Sequence, residues 1–290
     1  MINLTDFKEK TLFIIGNGFD IAHDIKSSYK NYHDWLLQHD YHEFVAYMES
    51  MFPDIKDGEQ LLWKDFEEAI GRYNPREIHM KYFQGVDSYQ YAKETQLRVT
   101  ERIKPIVDKI PKTLIEWART VIGFSYPPKI YEGLTHDCKY LTFNYTKVLE
   151  RVYGINSCNI CHIHGCIDDD KIIVGHNHKR NPQDEDDNQF NIEMSRRNIV
   201  ELMNKNEKPV MDIIQNNAAF FNSLYDIQRI IVIGHSMAEV DIPYFEEITK
   251  HINRDCIWHF YWHATDEQDR FYQLIHNEPF REFTCRIHQI

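Results

Sequence analysis

Four stretches of the chain carry residue types and spacings that could do chemistry. In the first, Thr11-Leu12-Phe13-Ile14-Ile15 runs into Gly16-Asn17-Gly18-Phe19-Asp20. A strand that enters Gly-x-Gly and then a helix can present backbone N–H groups to a phosphate. The third glycine of a dinucleotide fingerprint would fall at Ile21, so the standard pattern is absent and a plain strand-to-helix turn is an equal reading. The second stretch is Leu141-Thr142-Phe143-Asn144-Tyr145-Thr146, where Asn144 closes an apolar run. It can cap a helix, or offer its amide to a ribose hydroxyl or a leaving group. The third is Cys158-Asn159-Ile160-Cys161-His162-Ile163-His164-Gly165-Cys166. It admits c-type haem attachment, half of a zinc site, or a strand whose alternation puts His162 and His164 on one face and Cys161 and Ile163 on the other. On the last reading, His164 before Gly165 is placed to meet a ligand as a general base. The fourth is Gly234-His235-Ser236-Met237 with Asp241. Ala238 replaces the final glycine of a nucleophile elbow, which argues against a serine hydrolase and leaves a loop for ribose or phosphate.

The elements that must position these residues are short apolar strands. Runs at 11–15, 139–143, 159–163, 172–174, 230–233 and 256–262 each end in Gly, Asn or His. Strands apolar throughout suit a parallel sheet covered on both faces, where ligands bind beyond the carboxyl ends. Residues 103, 106, 107, 110, 114, 117, 118 and 121 share a helical face. Pro105 and Pro111 within that stretch predict a kink or a break. Tyr32, Trp35 and Leu36, then Phe44, Val45 and Met48, predict one or two earlier helices. Trp63, Phe66 and Glu67 fall on one side of another helix. The expected fold is α/β and Rossmann-like, with a mostly parallel sheet, helices on both faces and a large helical insertion after the first strand. Residues 1–23 and 136–290 would form the nucleotide-binding domain and 24–135 the helical lobe. A second insertion near 179–228 opens with a polar run from Asn181 to Asn191, read as a solvated loop, and becomes helical from Ile192 to Leu224.

Composition narrows the classes. The 290 residues carry 33 Lys and Arg against 45 Asp and Glu, a net charge of −12. That balance argues against a nucleic-acid footprint. With 42% apolar and 13% aromatic residues the chain can build a substantial core. No apolar run approaches the roughly 18 residues of a membrane span. The start, Met1 to Asp6, lacks the basic and apolar regions of a signal peptide. Six scattered cysteines without an export signal predict a reduced cytoplasmic protein. Glycine is scarce, 11 in all, so its placement at strand ends is informative.

Taken in order, Ile14 to His23 with Tyr29, Trp63-x-Asp65-Phe66-Glu67, Thr142 to Thr146, His162-Ile163-His164-Gly165 and Gly234-His235-Ser236 with Asp241 resemble the bacteriophage abortive-infection AbiH family, over about residues 11–262. That family in turn resembles sirtuin-like NAD-binding proteins. There a glycine loop after the first strand holds phosphates, a Thr-x-Asn motif contacts the ribose, and the histidine of a His-Gly pair acts as base. Matched by motif, these are Gly16, Asn17 and Gly18, then Asn144, then His164, with Gly234 and Ser236 on the later loop. Asn17 stands where a small residue is usual and Asp20 where a serine is. The paired Cys-x-x-Cys motifs of the deacetylase zinc ribbon are missing, so the resemblance implies NAD cleavage by water rather than deacetylation.

The expectation is therefore an antiphage protein that hydrolyses NAD at the nicotinamide–ribose bond, with NAD as substrate and no metal. Asn144 and His164 would be catalytic, while Gly16, Asn17, Gly18, Phe19, Asp20, Gly234, His235, Ser236 and Asp241 would bind the nucleotide. The loop at Gly16 to Asp20 would hold the pyrophosphate through backbone amides, which suits an acidic protein, and the helical lobe would cover the cleft. Expected partners are a nucleotide, a phage-derived trigger and further copies of the chain, with neither nucleic acid nor membrane. Two rivals stand beside this reading. One is a nucleotide sensor without turnover; the other is a nuclease or phosphohydrolase with a metal on Asp20, His23, His164 or Asp241.

Overall fold

Strand formation follows burial on both faces. Thr11 to Ile15 are all at most 1% exposed, as are Ile230 to Ile233. β-branched, fully apolar segments of this kind have their lowest free energy inside a covered sheet. The computed structural model describes residues 2–4, 10–56, 58–83, 92–122, 127–168, 172–185, 190–263 and 265–289. Six strands form one sheet: β1 (Thr11–Ile15), β2 (Lys139–Thr142), β3 (Ile160–His162), β4 (Arg229–Ile233), β5 (Ile257–Trp262) and β6 (Thr284–Gln289). All neighbours pair in parallel, in the order β3-β2-β1-β4-β5-β6. Flanking helices and a helix-rich insertion after β1 complete the expected Rossmann-like class. The order reverses between β1 and β4, where such sheets bind ligands.

One expected strand does not form, and one strand carries no apolar signal in the sequence. Ile172 to Val174 forms no strand; the Ile173 amide instead donates to the His164 carbonyl at 2.9 Å. The edge strand β6 was not foreseen, because Thr284-Cys285-Arg286-Ile287-His288-Gln289 is only partly covered and carries no apolar run. The core of the sheet includes Leu12, Ile14, Val232, Trp258, Phe260 and, from the helix Ile242–His251, Tyr244, Phe245 and Ile248. Burying each such side chain contributes about 1.5–3 kcal/mol.

The chain divides into two compact units. The first comprises Met1–Ser28, Ala118–Ile173 and Val210–Ile290, and holds the sheet; the second comprises Tyr29–Trp117 and Val174–Pro209. Within the second unit, the helix Ala92–Trp117 runs unbroken through Pro105 and Pro111. Pro111 cannot donate to the carbonyl of Val107, and the Asn206 side-chain amide takes that acceptor at 3.1 Å. With Ile103, Val107, Ile110, Leu114 and Trp117 all buried, packing outweighs the proline penalty. Val121 of the expected apolar face, as a side chain, and residues 186–189 of the polar run lie outside the described residues. The single helix expected around Trp63 is two, Leu61–Lys64 and Phe66–Gly71. Asp65 leaves helical geometry and caps the second by accepting from the Glu68 amide at 3.3 Å. Among the described residues no helix is long and apolar enough to cross a membrane.

Candidate functional site at the carboxyl edge of the sheet

The register sets which residues converge. Ile15 pairs with Thr142 and with Ile233, and Thr142 pairs with His162. Gly16, Asn144, His164 and Gly234 therefore leave the sheet on one edge, all in the first unit. The loops after β1 and β4 meet directly: Gly16 donates to the Ile233 carbonyl at 3.0 Å, Gly18 to the Gly234 carbonyl at 2.7 Å, and Phe19 to the Gly16 carbonyl at 3.0 Å. These amides, expected to cradle a pyrophosphate, already have acceptors within the protein. Asn17, which starts the helix Asn17–Ala22, is exposed and donates its side-chain amide to the Ser27 carbonyl. Phe19 points into an aromatic cluster, stacked on Tyr131 at 5.0 Å and near His23 at 4.5 Å.

A buried polar cluster lies beside this loop. Asp20, 1% exposed, accepts from the Thr146 hydroxyl at 2.8 and 3.0 Å and from the Asn144 side chain. The Asn144 amide also donates to the Gly16 carbonyl at 3.1 Å, tying β2 to the first loop. Burial pushes the Asp20 carboxyl up to about 7 despite these hydrogen bonds and the nearby His162. Asp20 can thus hold or release a proton near neutrality. His23, by contrast, commits both ring nitrogens: Nδ1 to the Phe19 carbonyl and Nε2 to the Tyr153 hydroxyl, each at 2.7 Å. It supplies no ligand to a metal in this arrangement.

The two histidines of His162-Ile163-His164 do not share surroundings as strand alternation predicts. β3 ends at His162 and the chain turns, with Gly165 at φ +76° and its amide on the His162 carbonyl. His162 turns to Glu150, Nε2 to Oε1 at 2.9 Å, with Nδ1 3.3 Å from the Asn144 carbonyl. His164, 3% exposed, lies 3.3 Å from the Tyr244 hydroxyl and edge-on to the Phe143 ring. On the β4 side, His235 Nδ1 accepts from the Met237 amide, and Nε2 lies 3.6 Å from Asp241 Oδ2. The His235 ring also packs on Phe143 at 4.2 Å. Ser236 is exposed, its carbonyl taken by Arg270.

Of the anticipated residues, then, Gly16, Gly18, Asp20, Asn144, Gly234, His164, His235 and Asp241 gather around the β1, β2, β3 and β4 ends, while the Phe19 side chain serves packing. Thr146 and the His162–Glu150 pair were not anticipated as members. Thr146 sits two residues past Asn144 and His162 two before His164, the only signals available. Cys158 is exposed whereas Cys161 is buried in the core, its thiol raised to about 12 by burial. Among the described residues no three His, Cys, Asp or Glu groups come together as a metal site.

A protein-family model described as "Bacteriophage abortive infection AbiH" matches residues 12–262. No curated protein and no solved structure gives a significant match.

Proposed function

Because the chain belongs to the bacteriophage abortive infection AbiH family, with its antiphage role, we propose that it acts by hydrolysing NAD at the nicotinamide–ribose bond in a sirtuin-like pocket. The observation that carries this reading is the hydrogen-bonded join of Asn144 to Gly16 and Asp20 beside the point where strand order reverses. In the reaction, water adds at the ribose carbon, the bond to nicotinamide breaks, and ADP-ribose and nicotinamide leave with release of one proton. Asn144 would orient the ribose or the water, and His164 would accept the proton. With the Gly16, Gly18 and Phe19 amides engaged, the dinucleotide would meet the first loop through exposed Asn17 and the second through Ser236. Asp20, neutral or ionised near pH 7, would adjust the charge beside the ribose.

One observation favours a second reading, a nucleotide sensor without turnover: His164 is 3% exposed and already lies against Tyr244. A thermal-shift series with NAD, ADP-ribose and ATP tests the pocket shared by both readings. Stabilisation by NAD and ADP-ribose is expected. Stabilisation by ATP alone would contradict it.

A further inference from the structure

The second unit contains a cavity of about 670 Å³ with no part in the reading above. Its volume lies in the range of small-molecule sites. Four aromatic side chains, Tyr41, Phe44, Tyr47 and Tyr82, line it. Tyr41 and Phe44 form a corner, with ring planes 71° apart and centroids 6.4 Å apart. The Lys109 ammonium stands in that corner, 5.5 Å from both centroids. A cation held over two ring faces is the arrangement by which aromatic cages recognise ammonium groups. Tyr41 is steadied by its hydroxyl on Glu116 at 3.3 Å and by stacking on Trp35 at 5.9 Å.

The ionisable groups around the cavity point the same way. Asp40, Glu43 and Glu101 line it with Arg102 and Lys109. Arg102 donates to the Tyr82 carbonyl at 3.2 Å. Lys109 is an exposed side chain on a flexible stem, so it can leave the corner. Its departure would leave three carboxylates facing one engaged guanidinium.

We propose that this cavity is a receptor site for an alkylammonium group, carried by a lysine side chain of a peptide or by a free polyamine, and that Lys109 occupies it as a tethered stand-in. Ligand entry displaces Lys109 from Tyr41 and Phe44 and places the incoming cation among Asp40, Glu43 and Glu101. The site is independent of NAD chemistry, since its residues lie in the second unit and its readout is binding.

The test is calorimetric titration of the full chain with a lysine-containing tripeptide, its Nε-acetylated form and spermidine. The amine forms should bind and the acetylated peptide should not. Lys109→Ala should tighten binding about threefold or more by removing the competitor, and Tyr41→Leu should weaken it about fivefold or more. Glu43→Gln, at an exposed position, should also weaken binding and guards against a folding defect in the Tyr41 variant. Preference for the tripeptide would identify a protein segment as the natural source; preference for spermidine would identify a polyamine. Equal binding of the acetylated peptide, no binding of either amine, or affinities unmoved by Lys109→Ala and Glu43→Gln would overturn the proposal.

Discussion

The amide of Gly18 donates to the carbonyl of Gly234 at 2.7 Å, so the first turn of the helix after β1 touches the loop after β4 backbone to backbone where the strand order reverses. A Cβ on Gly234 would meet the Phe19 nitrogen at 2.2 Å, and one on Gly16 would meet the Gly234 carbonyl oxygen at 2.5 Å. Gly234 also holds φ +62°. These glycines are required by one loop's approach to the other, whatever ligand lies beyond them.

Gly234→Ala should therefore destabilise the protein by about 2–5 kcal/mol, combining backbone strain with overpacking. Urea unfolding of the purified variant measures this. A loss below about 0.5 kcal/mol, the range of neutral surface changes, would mean that the loops do not need their contact.

Asp20 gives a pH signature. Its carboxyl has a folded value of about 7 against an ordinary 3.8, because burial disfavours the charge. The folded state thus binds the proton more tightly, and this contribution is fully present below pH 3.8 and lost as pH rises through about 7. Asp20→Asn should gain stability relative to the unaltered protein as pH rises from 4 to 7, by roughly 2–4 kcal/mol. Parallel stability curves for the two proteins over that range would show Asp20 to be unshifted.

Histidines act with the opposite sign. Burial lowers His176 and His259 to about 4 from 6.5. The unfolded chain takes up these protons first, so stability falls as pH drops from 6.5 towards 4. His176→Gln should flatten part of that loss in a melting-temperature series. An unchanged pH slope would exclude His176 as a source.

Lys208, fully buried, pairs with Glu67 at 2.7 Å within the second unit. Removing one partner leaves an uncompensated buried charge, so Lys208→Met should cost about 3–5 kcal/mol. Combining it with Glu67→Gln should recover part of that. Equal losses in the single and double variants would show that the pair is not energetically coupled.

The strands that carry Gly16, Asn144 and Gly234 were legible because their apolar runs are buried on both faces and end in distinctive residues. β6 was not, since Arg286 and Gln289 interrupt any apolar pattern at a half-covered edge. Pro105 and Pro111 read locally as breaks, yet the helix persists because its apolar face from Ile103 to Trp117 is buried, and Asn206, 95 residues beyond Pro111 in the chain, takes the Val107 carbonyl that Pro111 leaves open. Asp65 reads as mid-helix by spacing and acts as a cap. Strand alternation grouped His162 with His164, but the chain turns after His162, a change of direction that period-two patterning cannot register. The contacts Asp20–Thr146 and His162–Glu150 join residues of different elements, Asp20 on the helix Asn17–Ala22 and Glu150 on the helix Val148–Arg151, in pairings that no sequence period encodes.

Hydrolysis of NAD by this protein is tested by NAD consumption with the purified chain, alone and with phage extract, followed as release of nicotinamide and ADP-ribose. Nicotinamide and ADP-ribose should appear in equal amounts, and their release should be abolished by Asn144→Ala and by His164→Ala while ADP-ribose still stabilises both variants against heat. Undiminished NAD in the presence of phage extract, with nucleotide bound, would contradict NAD hydrolysis.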